Sequence, residues 1–285
     1  MELSPREVPD GIVGISTPPA RAGWSLLERL RLFIQFARLA RNWYTLAVPI
    51  LGFDLRPGVT YILRSGVKIK TRSGPLRSHL GDCYAIIENF GSIRDTVFRE
   101  IGPGHSVMDI GAHVGAFTIR ASSVARKVYA FEPHPDNFAF LRENLLLNDR
   151  RNVQVKQVAL GSTDGQRLIY AGDSGTKAGF YAAGMHSRVV DTVCLGTALR
   201  LCGEDTIDWA KLDCEGAEYE IVLSSPVAVL QRIRAYFIEL HHRANVSSSI
   251  AKLLRTLRDA GFSVTIDHQT STLIARQQSV DVSGR

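Results

Sequence analysis

The chain has 285 residues and 31.4 kDa, with 45% hydrophobic, 22% charged and 8% aromatic residues. That balance belongs to a globular protein and excludes a disulfide mini-protein or a disordered chain. The longest apolar run, Asn42 to Phe53, has 12 residues and is broken by Pro49, well short of the roughly 20 that a membrane-spanning helix needs.

The net charge of +6 is unevenly placed: residues 1–80 hold 12 Lys+Arg against 5 Asp+Glu, and the remainder holds 22 against 23. A basic extension on a neutral body suits an anionic neighbour, such as a phosphate, a nucleic acid or a lipid surface. The four cysteines, Cys83, Cys194, Cys202 and Cys214, form no CxxC pair, and Arg6, Glu7 and Asp10 interrupt the start where a signal peptide would need an apolar core. The expected location is therefore the reducing cytoplasm, with peripheral contact at the inner membrane face as a further expectation for the basic segment.

Residues 1–23 carry Pro5, Pro9, Pro18 and Pro19 and read as a mobile tail. Trp24 to Asn42 reads as a helix whose polar stripe runs Glu28, Arg31, Gln35, Arg38, Asn42. Its broad apolar face, flanked by Arg and Trp, makes residues 24–53 the expected membrane-contacting stretch. Two short strands are expected around Thr60–Leu63 and Val67–Thr71, completing an extension over 24–80.

From residue 104 the pattern becomes regular. Strands are expected at Ser106–Ile110, Lys127–Phe131, Val153–Leu160, Ile207–Cys214 and Arg234–Leu240. Helices are expected at Val114–Ala125, Pro135–Leu147, from Glu215, and at Val246–Ala260. Phe262–Asp267 and Ser271–Ala275 form a closing pair of strands. Alternation of this kind predicts a Rossmann-like α/β sheet, mostly parallel and covered on both faces, over residues 81–276, with 277–285 as a second tail. The stretch 161–205, with Gly172, Gly175, Gly179 and Gly184, is an insert placed to act as a substrate lid.

Ligands of such sheets bind beyond the carboxyl ends of the strands. The first strand ends Asp109-Ile110-Gly111-Ala112-His113-Val114-Gly115, with the glycines four apart, which is not the GxGxxG of a dinucleotide site. A carboxylate at the tip would repel a pyrophosphate and hold an ammonium or hydroxyl, while the glycines let a ligand approach the backbone. Glu132 ends the second strand, where an acidic side chain hydrogen-bonds a ribose diol. Adenosine without pyrophosphate, joined to an amino-acid tail, describes S-adenosylmethionine. His113 is placed to touch the carboxylate of that tail.

Five blocks in order, Asp109–Thr118, Tyr129–Phe138 with Leu141–Asn148, Ala159–Gly165, Lys211–Glu218 and Glu239–His241, resemble the FkbM-type methyltransferases. The resemblance covers about residues 80–265. It implies a seven-stranded class I methyltransferase fold with one antiparallel strand, and S-adenosylmethionine-dependent methylation of a hydroxyl on a sugar, glycan, lipid-linked or secondary-metabolite acceptor. It places Asp109, Gly111, Ala112 and Gly115 around the methionine and ribose, Glu132 on the ribose hydroxyls with Pro133 and Asn137 in the same block, and Ala159 with Leu160 against adenine. Asp213 would face the transferable methyl. The chain departs from the family pattern after Glu88, where Arg94-Asp95 stands.

A sugar hydroxyl needs a base to become nucleophilic. Asp213, Glu239 and His241 sit at the tips of neighbouring strands, and His241 is the first choice because an imidazole titrates near neutral pH. Glu215 and Glu218 read as helix N-terminal charges. A divalent metal is disfavoured, because no local ligand motif supports it, and no metal ligand is assigned. Nucleic acid is a disfavoured partner, since an acidic Leu-Asp-Cys-Glu tip sits badly beside phosphates. The alternatives are a non-catalytic or a nucleic-acid-directed protein of the same fold.

Overall fold

A computed structural model describes residues 26–46, 58–72, 76–91, 94–171, 178–180, 186–241, 246–267 and 270–278. The expected tail 1–23, the whole 47–57 stretch, residues 279–285 of the second expected tail, Gly172, Gly175, Gly184 and His242 lie outside these residues.

Seven strands form the central sheet in the order β12-β13-β11-β10-β3-β4-β5. They are β3 (Ser106–Ile110), β4 (Lys127–Phe131), β5 (Val153–Lys156), β10 (Ile207–Leu212), β11 (Ile233–Glu239), β12 (Phe262–Asp267) and β13 (Thr272–Gln277). Every pairing is parallel except the two made by β13, so β13 is the single antiparallel strand. Strands β3, β4 and β10 are buried almost throughout, which is why they read as short apolar runs rather than alternating ones. The chain first runs outward from β3 to β4 and β5, then returns to β10 on the other side of β3. The strand order therefore reverses between β3 and β10, where a crevice opens beyond the carboxyl ends.

Most expected boundaries agree with the structure within a few residues. The expected strand Val153–Leu160 is divided: β5 stops at Lys156, and β6 (Ala159–Leu160) leaves the main sheet to pair with β9 (His186–Val193). With β7 (Gly165–Ala171) and β8 (Ala178–Gly179) these strands make a separate four-stranded sheet, order β6-β9-β7-β8, so the insert is an organised β-structure. A helix at Leu195–Cys202 returns the chain to β10.

Besides Leu195–Cys202, two helices that precede β3 escaped the sequence reading. The first, α2 (Leu76–Phe90), follows α1 (Leu26–Leu39) and the hairpin of β1 (Thr60–Ile62) and β2 (Lys68–Lys70); the second is α3 (Asp95–Glu100). Gly81 near the middle of α2 is unfavourable to a helix and hides it. Cys83, Ile86 and Ile87 face inward at helical spacing and are buried.

The basic extension packs into the fold. Leu32, Phe36, Tyr61, Ile69 and Ile86 share one core cluster with Ile119 of α4 (Ala116–Ser122) and Leu141 of α5 (Pro135–Leu147). Much of the apolar side of α1 is consumed in that cluster, and Leu30 and Ile34 are its exposed large hydrophobics among residues 30–39. No helix among the described residues is long and apolar enough to cross a membrane.

Two asparagines of α5 dock the extension. Asn144 accepts from the Lys70 amide (2.6 Å) and donates to the Lys70 and Val114 carbonyls. One turn later, Asn148 accepts from the Lys68 amide (2.9 Å) and donates to its carbonyl. Side chains four apart on a helix lie on one face, and backbone groups two apart on a strand point to one side. The pair thus substitutes for a neighbouring strand and satisfies the open edge of β2. Asn144 is fully buried, so Asn144→Ala is expected to lower stability by about 2–3 kcal/mol, read as an earlier midpoint in urea unfolding.

Candidate active site

Four sheet elements converge at the switch point: the tips of β3, β4, β10 and β11. Asp109 on β3 lies opposite Lys211 on β10 in the strand register. The Lys211 ammonium donates to Asp109 Oδ1 (3.1 Å) and to the Gly111 carbonyl (3.0 Å), and lies 3.3 Å from Asp213 Oδ2. Thr118 donates to the other oxygen of Asp109. The sequence expectation places Asp109 around the methionine and ribose; in the structure it is wholly buried, with Lys211 on one oxygen and Thr118 on the other. A lysine deep in a buried central strand was the available signal for this pair.

The glycines after Asp109 set how closely the two strand tips meet. Gly111 has φ +81°, and a Cβ there would stand 1.9 Å from the Asp213 carbonyl oxygen. Gly115 has φ +93°, and its Cβ would press on Leu141 at 2.6 Å. Ala112, between them, is buried and donates its amide to the Phe131 carbonyl. His113 is held at φ +53°, where a non-glycine residue is strained.

His113 is neutral, because burial and then Arg72 push its pKa down to about 3. Its Nε2 meets the Arg72 guanidinium, which a fully buried Asp82 grips through Nε and Nη2. His113 therefore does not offer a positive charge to a cofactor carboxylate; the cation beside it is Arg72. Asp82 comes from α2, which also delivers Glu88 to the other half of the site.

Glu132, at the end of β4, accepts the His113 amide at Oε2 (2.8 Å) and the His134 amide and Asn137 Nδ2 at Oε1 (2.9 and 3.1 Å). Burial raises its pKa, while these three donors pull the other way. Asn137 Oδ1 and His134 Nδ1 are buried beside it with no hydrogen-bond partner among the described residues. Unsatisfied buried polar atoms are uncommon. Pro133 is half-buried between them. Ala159 and Leu160 are buried in β6, paired to Thr192 and Val193 of the insert.

The β10 and β11 tips carry most of the charge. Arg94, just before α3, is 4% exposed, and its Nη2 lies 2.5 Å from Glu239, 3.3 Å from Asp213 and 3.7 Å from Glu88. Burial disfavours the charge on Asp213, yet Lys211, Arg94 and His241 hold its pKa well below the usual carboxylate range. Glu239 moves the opposite way, up to about 8, through burial and then repulsion from Asp213, with Arg94 opposing. Burial raises Glu88 too. The Tyr84 phenol is pushed up to about 12 by burial, then by Glu88 and Glu239.

His241, two residues beyond Glu239, joins this group from the far side. Its Nε2 faces Asp213 Oδ1 and Glu215 Oε2, each at 3.7 Å, and Glu239 Oε1 at 4.0 Å. Its Nδ1 lies 3.1 Å from Glu218 Oε1, on α7 (Glu218–Ser224). Glu218 is fully buried, which a solvated helix-terminal charge would not be. Sequence reasoning thus brought Asp213, Glu239 and His241 together correctly but missed Arg94, Lys211, Arg72, Asp82 and Glu218. Cys214, in the same turn, has its thiol pKa raised by burial and then by Glu218 and Asp213, which disfavours the thiolate.

The insert reaches this turn directly. Gly179 sits so near Glu215 that a Cβ would stand 2.9 Å from the Glu215 Cβ, and Arg167 of β7 pairs with Glu220 of α7 at 2.5 Å while stacking on Phe180.

Fold and site together define a class I methyltransferase. Residues 109–264, more than half of the chain, match the Methyltransferase FkbM domain, and the chain belongs to that family, with S-adenosylmethionine as its cofactor. A second match, to the TRM5/TYW2 methyltransferase domain, covers residues 47–167. The chain is 27% identical over 202 residues to the 31-O-demethyl-FK506 methyltransferase FkbM of Streptomyces tacrolimicus, covering 59% of this chain and 76% of that protein. Among solved structures it resembles methyltransferase FkbM from Methylobacillus flagellatus, with TM-score 0.47 and 14% identity over 88% of this chain, and it spans 59% of that chain's length. It also resembles M. jannaschii TYW2 in complex with AdoMet, with TM-score 0.43 and 13% identity, covering 78% of this chain and 86% of that one.

Ligand atoms of Asp213, Glu239 and His241 lie within 4.8 Å of one another. The positive charge that a divalent ion would bring to these carboxylates is already supplied by Arg94 and Lys211. Activity is accordingly expected to survive exhaustive dialysis against EDTA; loss that magnesium or manganese restores would refute this.

Proposed function

We propose that the chain transfers a methyl group from S-adenosylmethionine to a hydroxyl of a sugar, glycan, lipid-linked or secondary-metabolite acceptor. The observation that carries this reading is the imidazole of His241 at the switch-point crevice, anchored at Nδ1 and presenting Nε2 beside the Asp213 tip.

The cofactor supplies a sulfonium methyl with a good leaving group, so the protein's task is to align the acceptor and take its proton. In this reading Glu132, Asn137 and Pro133 hold the ribose side, and Ala159 with Leu160 flank adenine. Gly111, Ala112 and Gly115 let the methionine part lie against the backbone, with His113 and Arg72 at its carboxylate. Asp109 acts from behind, through Lys211. His241 accepts the acceptor's proton at Nε2, while Asp213 and Glu239 position the hydroxyl. Residues 161–205 cover the acceptor side as a lid, supported by the approach of Gly179 to Glu215.

The charge layout narrows the acceptor. Glu88, Asp213, Glu215 and Glu239 are each partly exposed at 17–26%, whereas Arg94 and Lys211 lie behind them at 4% and 3%. A surface of carboxylates backed by recessed cations favours an uncharged polyol around the reacting hydroxyl over a phosphate or a carboxylate. The same layout disfavours a nucleic-acid backbone, despite the TRM5/TYW2 match.

Two measurements test the assignment. Calorimetric titration of S-adenosylhomocysteine into the wild type should show binding that Glu132→Ala weakens by about 10- to 100-fold; no binding to the folded wild type would remove the basis for these cofactor contacts. His241→Asn should lower the methyl-transfer rate on a hydroxylated acceptor by about 10²–10⁴-fold with S-adenosylhomocysteine affinity kept. An unchanged rate would move the base elsewhere.

A further inference from the structure

We infer that Glu218 is the positioning residue of the base: it fixes the tautomer and orientation of His241 and ties both to the turn that carries Asp213. This rests on the reading of His241 as the proton acceptor.

The geometry is specific. Glu218 Oε1 accepts from the backbone amide of His241 and faces its Nδ1, both at 3.1 Å, so one oxygen fixes the residue at two points. Glu218 Oε2 accepts from the Gly216 amide at 2.9 Å. The Tyr219 hydroxyl, next along α7, donates to the His241 carbonyl at 3.1 Å. The turn so gripped is strained, with Glu215 at φ +53° and Gly216 at φ +100°. A wholly buried carboxylate thus links the β10 tip to the β11 tip. Because an ionised carboxylate only accepts, Nδ1 must carry a hydrogen. The neutral imidazole then has its lone pair on Nε2, facing the crevice, as a proton acceptor requires.

The charge of Glu218 also sets when that lone pair becomes available. Burial disfavours the imidazolium, but Glu218, then Glu215 and Glu239, outweigh it and raise the pKa of His241 well above 6.5. Among the described residues Nε2 also faces Asp213, while Arg94, Lys211 and Glu88 stand behind these acids. A base with a raised pKa is unmasked only as pH rises, so the acidic limb of kcat lies above the pH of an ordinary histidine. Glu218→Gln removes the negative charge nearest the ring and shifts that limb to lower pH.

The experiment compares kcat against pH for wild type, His241→Asn, Glu218→Gln and Glu218→Asp on one hydroxylated acceptor with saturating S-adenosylmethionine. Glu218→Gln is expected to move the acidic limb down by about one pH unit or more and to lower the plateau. Glu218→Asp, which keeps the charge, restores the limb towards its wild-type position. A Glu218→Gln limb that stays in place while only the plateau falls would reduce Glu218 to a packing role and overturn the inference. An active His241→Asn would overturn it together with the base assignment, which separates the two failures. Should Glu218→Gln fail to fold, the wild type decides: ¹⁵N shifts of the His241 ring at high pH should report the hydrogen on Nδ1, and a hydrogen on Nε2 would refute the inference.

Discussion

One buried ammonium joins the two halves of this site. Lys211 stands between Asp109 on β3 and Asp213 beyond β10, at the place where the strand order reverses. Its removal would leave Asp109 as an uncompensated charge in the middle of the sheet, at a cost of several kcal/mol. Its presence brings the Gly111 turn against the Asp213 carbonyl, closer than any side chain at 111 would allow. The Gly111 loop and the Asp213 strand tip thus share one boundary condition, and the remaining geometry is arranged around it.

The two halves differ in their electrostatics. On the β3–β4 side, His113 is kept neutral, and Glu132 is satisfied by amides. On the β10–β11 side, five carboxylates (Glu88, Asp213, Glu215, Glu218 and Glu239) crowd around Arg94, His241 and Lys211, and the crowding drives Asp213 and Glu239 apart in pKa. Groups whose environments separate them in this way can share acid–base work. Helix α2 spans both halves, with Asp82 fixing the Arg72–His113 contact and Glu88 meeting Arg94. Arg72, Asp82, Glu88 and Arg94 all precede residue 109, where the family match begins, so residues outside that match reach the same crevice.

Of the four non-glycine residues with positive φ among the described residues, two lie at this site, and Asp149 and Ser271 lie elsewhere. His113 and Glu215 take positive φ at the turns after β3 and β10, and each is held by a buried partner pair: Arg72 with Asp82 in one case, and the neighbouring Gly216 amide on Glu218 in the other. Such conformations persist only where the surroundings over-determine them. The docking of β2 on Asn144 and Asn148 serves the same end, because Arg72 follows that strand by two residues and inherits its position.

The sequence alone determined the sheet, since burial on both faces forces short apolar strands and helical segments alternate with them. It also determined the strand tips, where Asp109, Glu132, Asp213, Glu239 and His241 had to emerge together because parallel strands end on one edge. Tertiary structure decided what those side chains do. Asp109 turned inward because Lys211 lies opposite it in the register, and register is a property of two strands. Glu218 became the anchor of His241, although local spacing made it look like a helix-terminal charge, because residues 23 apart meet only once β10, α7 and β11 are assembled. Arg94 and Asp82 carried no periodic or motif signal, since a lone charged residue is solvated unless a fold buries it. Their roles arose from long-range burial, which no local pattern encodes.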